Sequence, residues 1–398
     1  MIDLVKIGSV FLIIVLLLRF RWNLGLVMFI GSILLGTLYL LDPLRQATVI
    51  LKASVDLETL NLIAGLLFIM VLENIIRKRG VLKRMMEAVV NVAQDRRIAM
   101  AVLPAVIGLL PSAGGAVFSA PMVQEAAATV AVTPERKAFI NYWFRHIWEY
   151  VSPLYPGAIL AAAIMQISLS QFLLFQVPFS IAVVAVGALL GFRGIPESSI
   201  EGKRDAQEFK ALAATMIPIL ASVILVVVFK IPLAFSMAAV VIALLFFYRY
   251  SFRDMKTTLQ ESISWNMTLM VVGIMIFKGM LDATGSIEAL PPFFKASGLP
   301  SEVVLFALPF FAGLLTGHTV GYVGSTFPIL VAMLGGQADV PSMAFAFASG
   351  FAGVMLSPTH LCFVLTVKYF KADMAVMYRL LWLPVSLVFL VALIRLWV

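Results

Sequence analysis

Apolar runs of roughly 17–25 residues recur along this chain, the length at which a helix spans a hydrocarbon core of about 30 Å. They fall at 4–20, 22–41, 57–76, 138–168 and 171–192, and again at 211–229, 231–248, 264–281, 342–367 and 373–396. Two further apolar stretches, 98–130 and 302–335, are broken by proline and glycine. Such a chain can satisfy its backbone in lipid only as helices or a closed barrel, and runs of this length read as helices. Charged residues make up 13% of it, where an average soluble domain carries about 25%, so a water-soluble surface cannot be built. The first run, from Leu4 to Leu18, has neither a basic leader nor a small-residue cleavage site and reads as a retained span.

The net charge of +8 does not point to nucleic acid, because the basic residues sit in short loops between the spans. With the loop Arg77 to Arg97 in the cytoplasm, twenty lysines and arginines fall in loops inside and six outside. That is the positive-inside distribution, and it places both termini outside an inner (cytoplasmic) membrane. The segment 193–210, with eight charged residues among eighteen, reads as a cytoplasmic linker.

On either side of this linker the chain repeats itself. Asn61 pairs with Asn266, Met70 with Met275, Gly80 with Gly285, Pro104 with Pro309, Gly108 with Gly313, Ser152 with Ser357 and Pro153 with Pro358, each pair 205 positions apart. Five full crossings per half, an odd number, make the second half enter from the opposite face. The expected fold is therefore an all-α polytopic membrane protein of two inverted-topology repeats, 1–192 and 211–398, each with five spans, a re-entrant helical hairpin and one broken helix. Repeats of this kind belong chiefly to secondary transporters, which bind substrate at the repeat interface near mid-membrane.

The hairpins are expected at 98–130 and 302–335. The first carries Pro104, Pro111, Gly114, Gly115 and Pro121, too many breakers for one straight helix, between basic residues on both sides. The second carries Gly317, Gly321, Gly324 and Pro328 and is the more polar, with Thr316, His318, Thr319, Tyr322, Ser325 and Thr326 near its turn; Ser112 and Ser119 are the sparser counterparts. Close helix packing through small residues is the plainer reading of these clusters, but it does not account for their symmetric placement. The broken helices, 138–168 and 342–367, are interrupted at Ser152-Pro153 and at Ser357-Pro358, the latter followed by Thr359 and His360. Half-helix ends there offer dipoles to an anion and free carbonyls to a cation.

The order of spans, the paired hairpins and the run SPTHLCFVLT at 357–366 resemble the domain of unknown function family 401, within the ion transporter superfamily that also holds dicarboxylate/sodium, citrate, gluconate, lactate and arsenite carriers. The resemblance implies an elevator carrier, as a homodimer, whose hairpins and broken helices move against a scaffold of the first spans of each half. Sodium-coupled dicarboxylate members carry Ser-Asn-Thr at both tips. Here the tips read PSAGG and GHTVG, so neither dicarboxylate nor sodium is carried over.

Ionisable residues within spans are functional candidates. Glu73 and Lys278, equivalent across the halves, each have an i+4 partner, Arg77 and Asp282, which suits interfacial ion pairs. A helix starting near Lys137 would put Glu149 about 18 Å deep, next to Arg145, His146 and the Ser152 break; it is either a bridge partner of Arg145 or a carboxylate coupled to transport. His318 and His360 are candidates to hydrogen-bond an anion or relay a proton. Two histidines on different elements are not a metal pattern, and Cys362, the only cysteine, argues against both a disulfide and a cysteine-based metal site.

The expected function is thus secondary transport of a small, anionic solute coupled to H+ or Na+, with no cofactor, the lipid bilayer and the solute as partners, and no nucleic acid. The chain has no HExxH, GxSxG or intramembrane aspartate motif, and no loop large enough for a catalytic domain, so an enzyme is not expected. A cation/proton antiporter and a non-catalytic structural subunit are the competing readings.

Overall fold

The structure, a computed structural model, describes residues 2–20, 22–93, 95–111, 115–198, 206–285, 300–336 and 339–397. Its regular elements among these residues are helices. The first part of the chain forms α1 (Ile2–Arg19), α2 (Leu24–Leu38), α3 (Pro43–Val55), α4 (Leu57–Lys78), α5 (Val81–Val92), α6 (Arg96–Gly108), α7 (Ala116–Ala126), α8 (Pro134–Arg145), α9 (Pro156–Ile164), α10 (Leu169–Phe175) and α11 (Val177–Gly191). There follow α12 (Ala206–Val223), continued by a π-helical turn to Val228, then α13 (Leu233–Phe247), α14 (Phe252–Ser262), α15 (Trp265–Ala283), α16 (Ser301–Thr316), α17 (Thr319–Met333), α18 (Val340–Met355), α19 (Leu361–Phe370) and α20 (Met374–Trp397). Part of the expected linker, 199–205, lies outside the described residues.

The protein is an all-helical membrane protein. Among the described residues, α4, α12 with its π turn, α15 and α20 are each long and apolar enough to cross a bilayer alone, and α9 and α10, bent by 112°, make a fifth such unit if taken together. The ten crossings expected from the sequence would need the shorter apolar helices as well. Proline or glycine stands at one end of several of them, as Pro300 and Gly317 do around α16 and Pro341 at the start of α18. The stretch 171–192 is likewise two helices rather than one, parted at Gln176, with Pro178 in the first turn of α11.

Three helices occupy segments the sequence left as loops. In α3, closed at its start by Asp42 accepting from the Leu44 and Arg45 amides, no residue is buried. Helix α14 opens with a capping box between Ser251 and Asp254, and α5 follows Gly80, whose φ of +64° is left-handed backbone that glycine adopts without a Cβ penalty. These helices are short and polar on one face, so a search for apolar runs passes over them.

Packing crosses between the two parts of the chain. Helix α2 lies along α15, and α4 along α13. At the α2–α15 crossing Gly25 and Gly273 bring the two backbones into direct contact, leaving no room for a Cβ on either. Likewise α9 packs on α17 and α19 on α7. The most extensive helix contact is α16 on α18, where Gly313 meets the Gly350 carbonyl and Gly353 the Phe310 carbonyl. An aromatic layer of Tyr150, Tyr322, Phe347 and Phe351, edge to face, fills the space beneath.

The linker's described beginning is held to the start of α6. Arg97 bonds Asp95 at 2.7 Å and Glu197 at 2.6 Å, and the Arg96 amide donates to the Ser198 carbonyl. The Arg97 guanidinium holds the Asp95 carboxyl below its ordinary range.

Candidate functional site

The site is built where helices stop. Helix α8 ends at Arg145, and residues 146–155, including Ser152 and Pro153, run as successive turns until Pro156 opens α9. Helix α18 ends at Met355, and Ser357, Pro358 and Thr359 lead to His360, which precedes the first turn of α19. Between α16 and α17 the chain turns at Gly317 and His318. Gly317 has φ +65°, and a Cβ on it would lie 2.8 Å from the His360 amide nitrogen. Glycine is required there both by conformation and by space.

A helix end in a dry interior leaves carbonyls that need donors. The second break supplies them to α16: Ser357 Oγ donates to Leu314 O at 2.7 Å, Thr359 Oγ1 to Leu315 O at 3.3 Å and His360 Nδ1 to Gly317 O at 2.6 Å. The first break does the same for α6, with Trp148 Nε1 on Ala105 O at 2.8 Å and Tyr155 Oη on Gly108 O at 2.5 Å. Each interrupted segment therefore caps the helix it packs on.

Where these ends meet they enclose a cavity of about 230 Å³. Pro111 comes to it from the α6–α7 junction, Arg145, His146, Glu149 and Tyr155 from the first break, His318 and Thr319 from the α16–α17 turn, and His360 and Cys362 from the second break. All three histidines of the chain line this one space. Glu149, 7% exposed, accepts a hydrogen bond from Thr319 Oγ1 at 3.1 Å. Arg145, 4% exposed, directs Nε to Cys362 Sγ at 3.5 Å. The His146 and His360 rings face each other, Nε2 to Nε2, at 3.1 Å.

Glu149, His318, Thr319 and His360 thus come together, although the first of them is 169 to 211 positions from the others in sequence. Gly317, Ser357 and Thr359 do not line the cavity; they shape and cap the turn beside it. Ser152 Oγ accepts from the Leu154 amide within its own turn. Ser119 Oγ donates to Ala116 O, and Gly115 is the buried residue before α7. Ser325 and Thr326 return their hydroxyls to Gly321 O and Tyr322 O of their own helix, at 2.7 Å each. Ser112 and Gly114 lie outside the described residues.

Glu149 is not on a helix with Arg145, because α8 stops before it; the depth expected from a continuous helix does not apply. Lys278, expected to pair within its helix, reaches Glu58 of α4 at 3.4 Å, a partner that i+4 spacing could not supply. Tyr155 and Cys362 were not among the expected site residues. For Cys362 a signal existed: it lies in the SPTHLCFVLT run and, at the 205-residue offset, opposite Gly157 at the other break.

A sequence profile, that of the family described as Protein of unknown function (DUF401), matches residues 4–398. The chain belongs to the DUF401 family. No curated protein matches it in sequence. The family's description carries no activity.

Proposed function

We propose that this DUF401 protein is a secondary transporter of the inner membrane, an elevator-type carrier that moves a small anionic solute coupled to H+ or Na+. The observation that carries the reading is the convergence of a buried arginine, a buried carboxylate and all three histidines on one cavity among interrupted apolar helices. Ionisable groups at such a place are costly in a membrane protein and are retained where solutes or ions pass. Arg145 and His318 supply donors for an anion; Glu149 and Thr319 supply oxygen for a coupling ion.

The inverted-repeat part of the proposal is supported by contacts as well as by sequence. Helices α6 and α16 begin at Arg96 and Ser301, and α9 and α19 at Pro156 and Leu361, both 205 positions apart. The pairings exchange across the halves in the same way: α2 with α15 matches α13 with α4, and α9 with α17 matches α19 with α7. A close backbone approach repeats as well, Gly108 on the Arg145 carbonyl and Gly313 on that of Gly350. On this reading α6–α7 and α16–α17 are the re-entrant hairpins, α8–α9 and α18–α19 the broken helices, and α1–α4 with α12–α15 the scaffold of a homodimer. Both termini are external.

Helices α3 and α14 occupy corresponding places in the two halves, so the inverted arrangement puts them on opposite faces. In a Cys362→Ser background, a membrane-impermeant maleimide added to intact cells is expected to label Thr48→Cys on α3 and to spare Thr257→Cys on α14, both exposed positions. Labelling of both from one side would overturn the inverted topology.

The solute is to be found by thermal shift on purified protein, screening small carboxylates and other organic anions with and without sodium at two pH values. A ligand present at 100 times its Kd stabilises the state that binds it by about 2.7 kcal/mol, and the expected result is a shift that Arg145→Gln removes. Absence of any anion-dependent shift, with organic cations shifting the protein instead, would sink the anion assignment.

A further inference from the structure

The contact between His146 and His360 is incomplete as it stands. His146 Nδ1 lies 2.6 Å from the Tyr142 carbonyl oxygen, and His360 Nδ1 2.6 Å from that of Gly317. A carbonyl only accepts, so each Nδ1 must carry its proton and each neutral ring presents a bare lone pair at Nε2. Those two lone pairs point at each other across 3.1 Å, which is repulsive unless something positive lies between or beside them.

Cys362 completes the pattern. Its Sγ and one ring nitrogen of each histidine all lie within 4.8 Å of one another, and all three residues are buried. A tetrahedral zinc ion, with bonds of about 2.0–2.1 Å to nitrogen and about 2.3 Å to sulfur, sets its donors roughly 3.3–3.7 Å apart. The nitrogens are close to that spacing already, and the sulfur reaches it with a movement of at most about 1.5 Å. Fixing the tautomer by an Nδ1–H bond to a carbonyl is the outer-shell arrangement that metal-bound histidines use. Two imidazoles and a thiolate also select by softness, favouring zinc-like d-block ions over magnesium or calcium.

We propose that His146 Nε2, His360 Nε2 and Cys362 Sγ form a binding site for a divalent d-block cation of the zinc class, with one coordination position open to the cavity. Three protein ligands and an open fourth position distinguish a site that exchanges a ligand from a closed structural one. The residues come from both interrupted segments, so an ion bound there would tie the first break to the second. The inference stands on donor geometry and does not require that the protein transports anything.

Cobalt(II) is the probe. Full-length, tag-free protein in detergent, stripped with a chelator that is then removed, is titrated with Co(II) and followed by absorption. The expected result is one Co(II) per chain, with a thiolate-to-cobalt charge-transfer band in the near ultraviolet and intense tetrahedral d–d bands, both lost on adding Zn(II). Because Cys362 is the only cysteine, no other residue can give the charge-transfer band. Cys362→Ser should remove that band, and His146→Asn or His360→Asn should weaken cobalt binding at least about tenfold, the scale on which ligand-shell changes act. A proton shared between the two rings is the competing occupant. Wild-type protein that shows no charge-transfer band at saturating Co(II) would overturn the proposal, and that measurement does not depend on any variant folding.

Discussion

Gly313→Leu combined with Gly353→Leu is expected to abolish the folded protein. At the α16–α18 crossing each of these glycines faces a backbone carbonyl of the other helix, Gly350 and Phe310 respectively, with no space for a Cβ. A leucine side chain cannot be taken up by a neighbour's rotamer change, because what it meets is backbone. Overpacking a tight core costs about 1–3 kcal/mol per site and more where the backbone must move. Two such sites on one crossing approach the whole stability of a typical fold, about 5–15 kcal/mol. The separated helices would also draw the second break away from the carbonyls of α16 that it caps. Size-exclusion profiles of solubilised membranes should lose the monodisperse peak. Gly8→Leu, at a position on α1 with open space around it, should keep it. A monodisperse, heat-stable double variant would mean that the crossing is not packed as described.

Glu149→Gln is expected to abolish ion-driven uptake of the solute while sparing counterflow exchange. Glutamine keeps the shape and can still accept from Thr319, so only the charge is lost. Exchange of solute for solute moves no net coupling ion and needs no change in the charge of the site; driven uptake does. The measurement is uptake into proteoliposomes under an imposed ion gradient, beside exchange in the same vesicles without one. If Glu149 instead serves only to balance the charge of Arg145, the single change removes one buried carboxylate from that balance and lowers stability, where breaking a buried pair costs about 3–5 kcal/mol. The protein would then lose both activities together with its stability, and Arg145→Gln with Glu149→Gln would recover the stability alone. Full driven uptake by Glu149→Gln would remove Glu149 from coupling.

Composition and run length by themselves determined that this chain is helical and lies in a membrane, because too few charged residues remain to face water. Local chemistry announced part of the interruptions: Pro358 and Gly317 stand within one turn of a helix end, whereas α8 stops at Arg145, eight residues before Pro153. What lies one turn away is readable from sequence, since propensity, capping and breaking are local effects. The short polar-faced helices α3, α5 and α14 escaped because none is a long apolar run: α3 and α14 are closed by side-chain caps, and α5 buries only one face, through Val81, Met85 and Val89.

The assembly of the site was a different matter. That His146 stands 3.1 Å from His360, that Thr319 rather than Arg145 is the hydrogen-bond donor found on Glu149, and that Lys278 meets Glu58 all depend on which helices cross and how closely. Glycine contacts of backbone on backbone set those crossings, between residues about 40 or more than 200 positions apart. Sequence spacing carries no information about such approaches, because the same residues on helices packed a turn further along would face lipid or other side chains. The sequence determined that the helices break near Gly317 and Pro358; only the tertiary structure decided that the broken ends share a cavity, since that requires carbonyls orphaned on one element to find their donors on another.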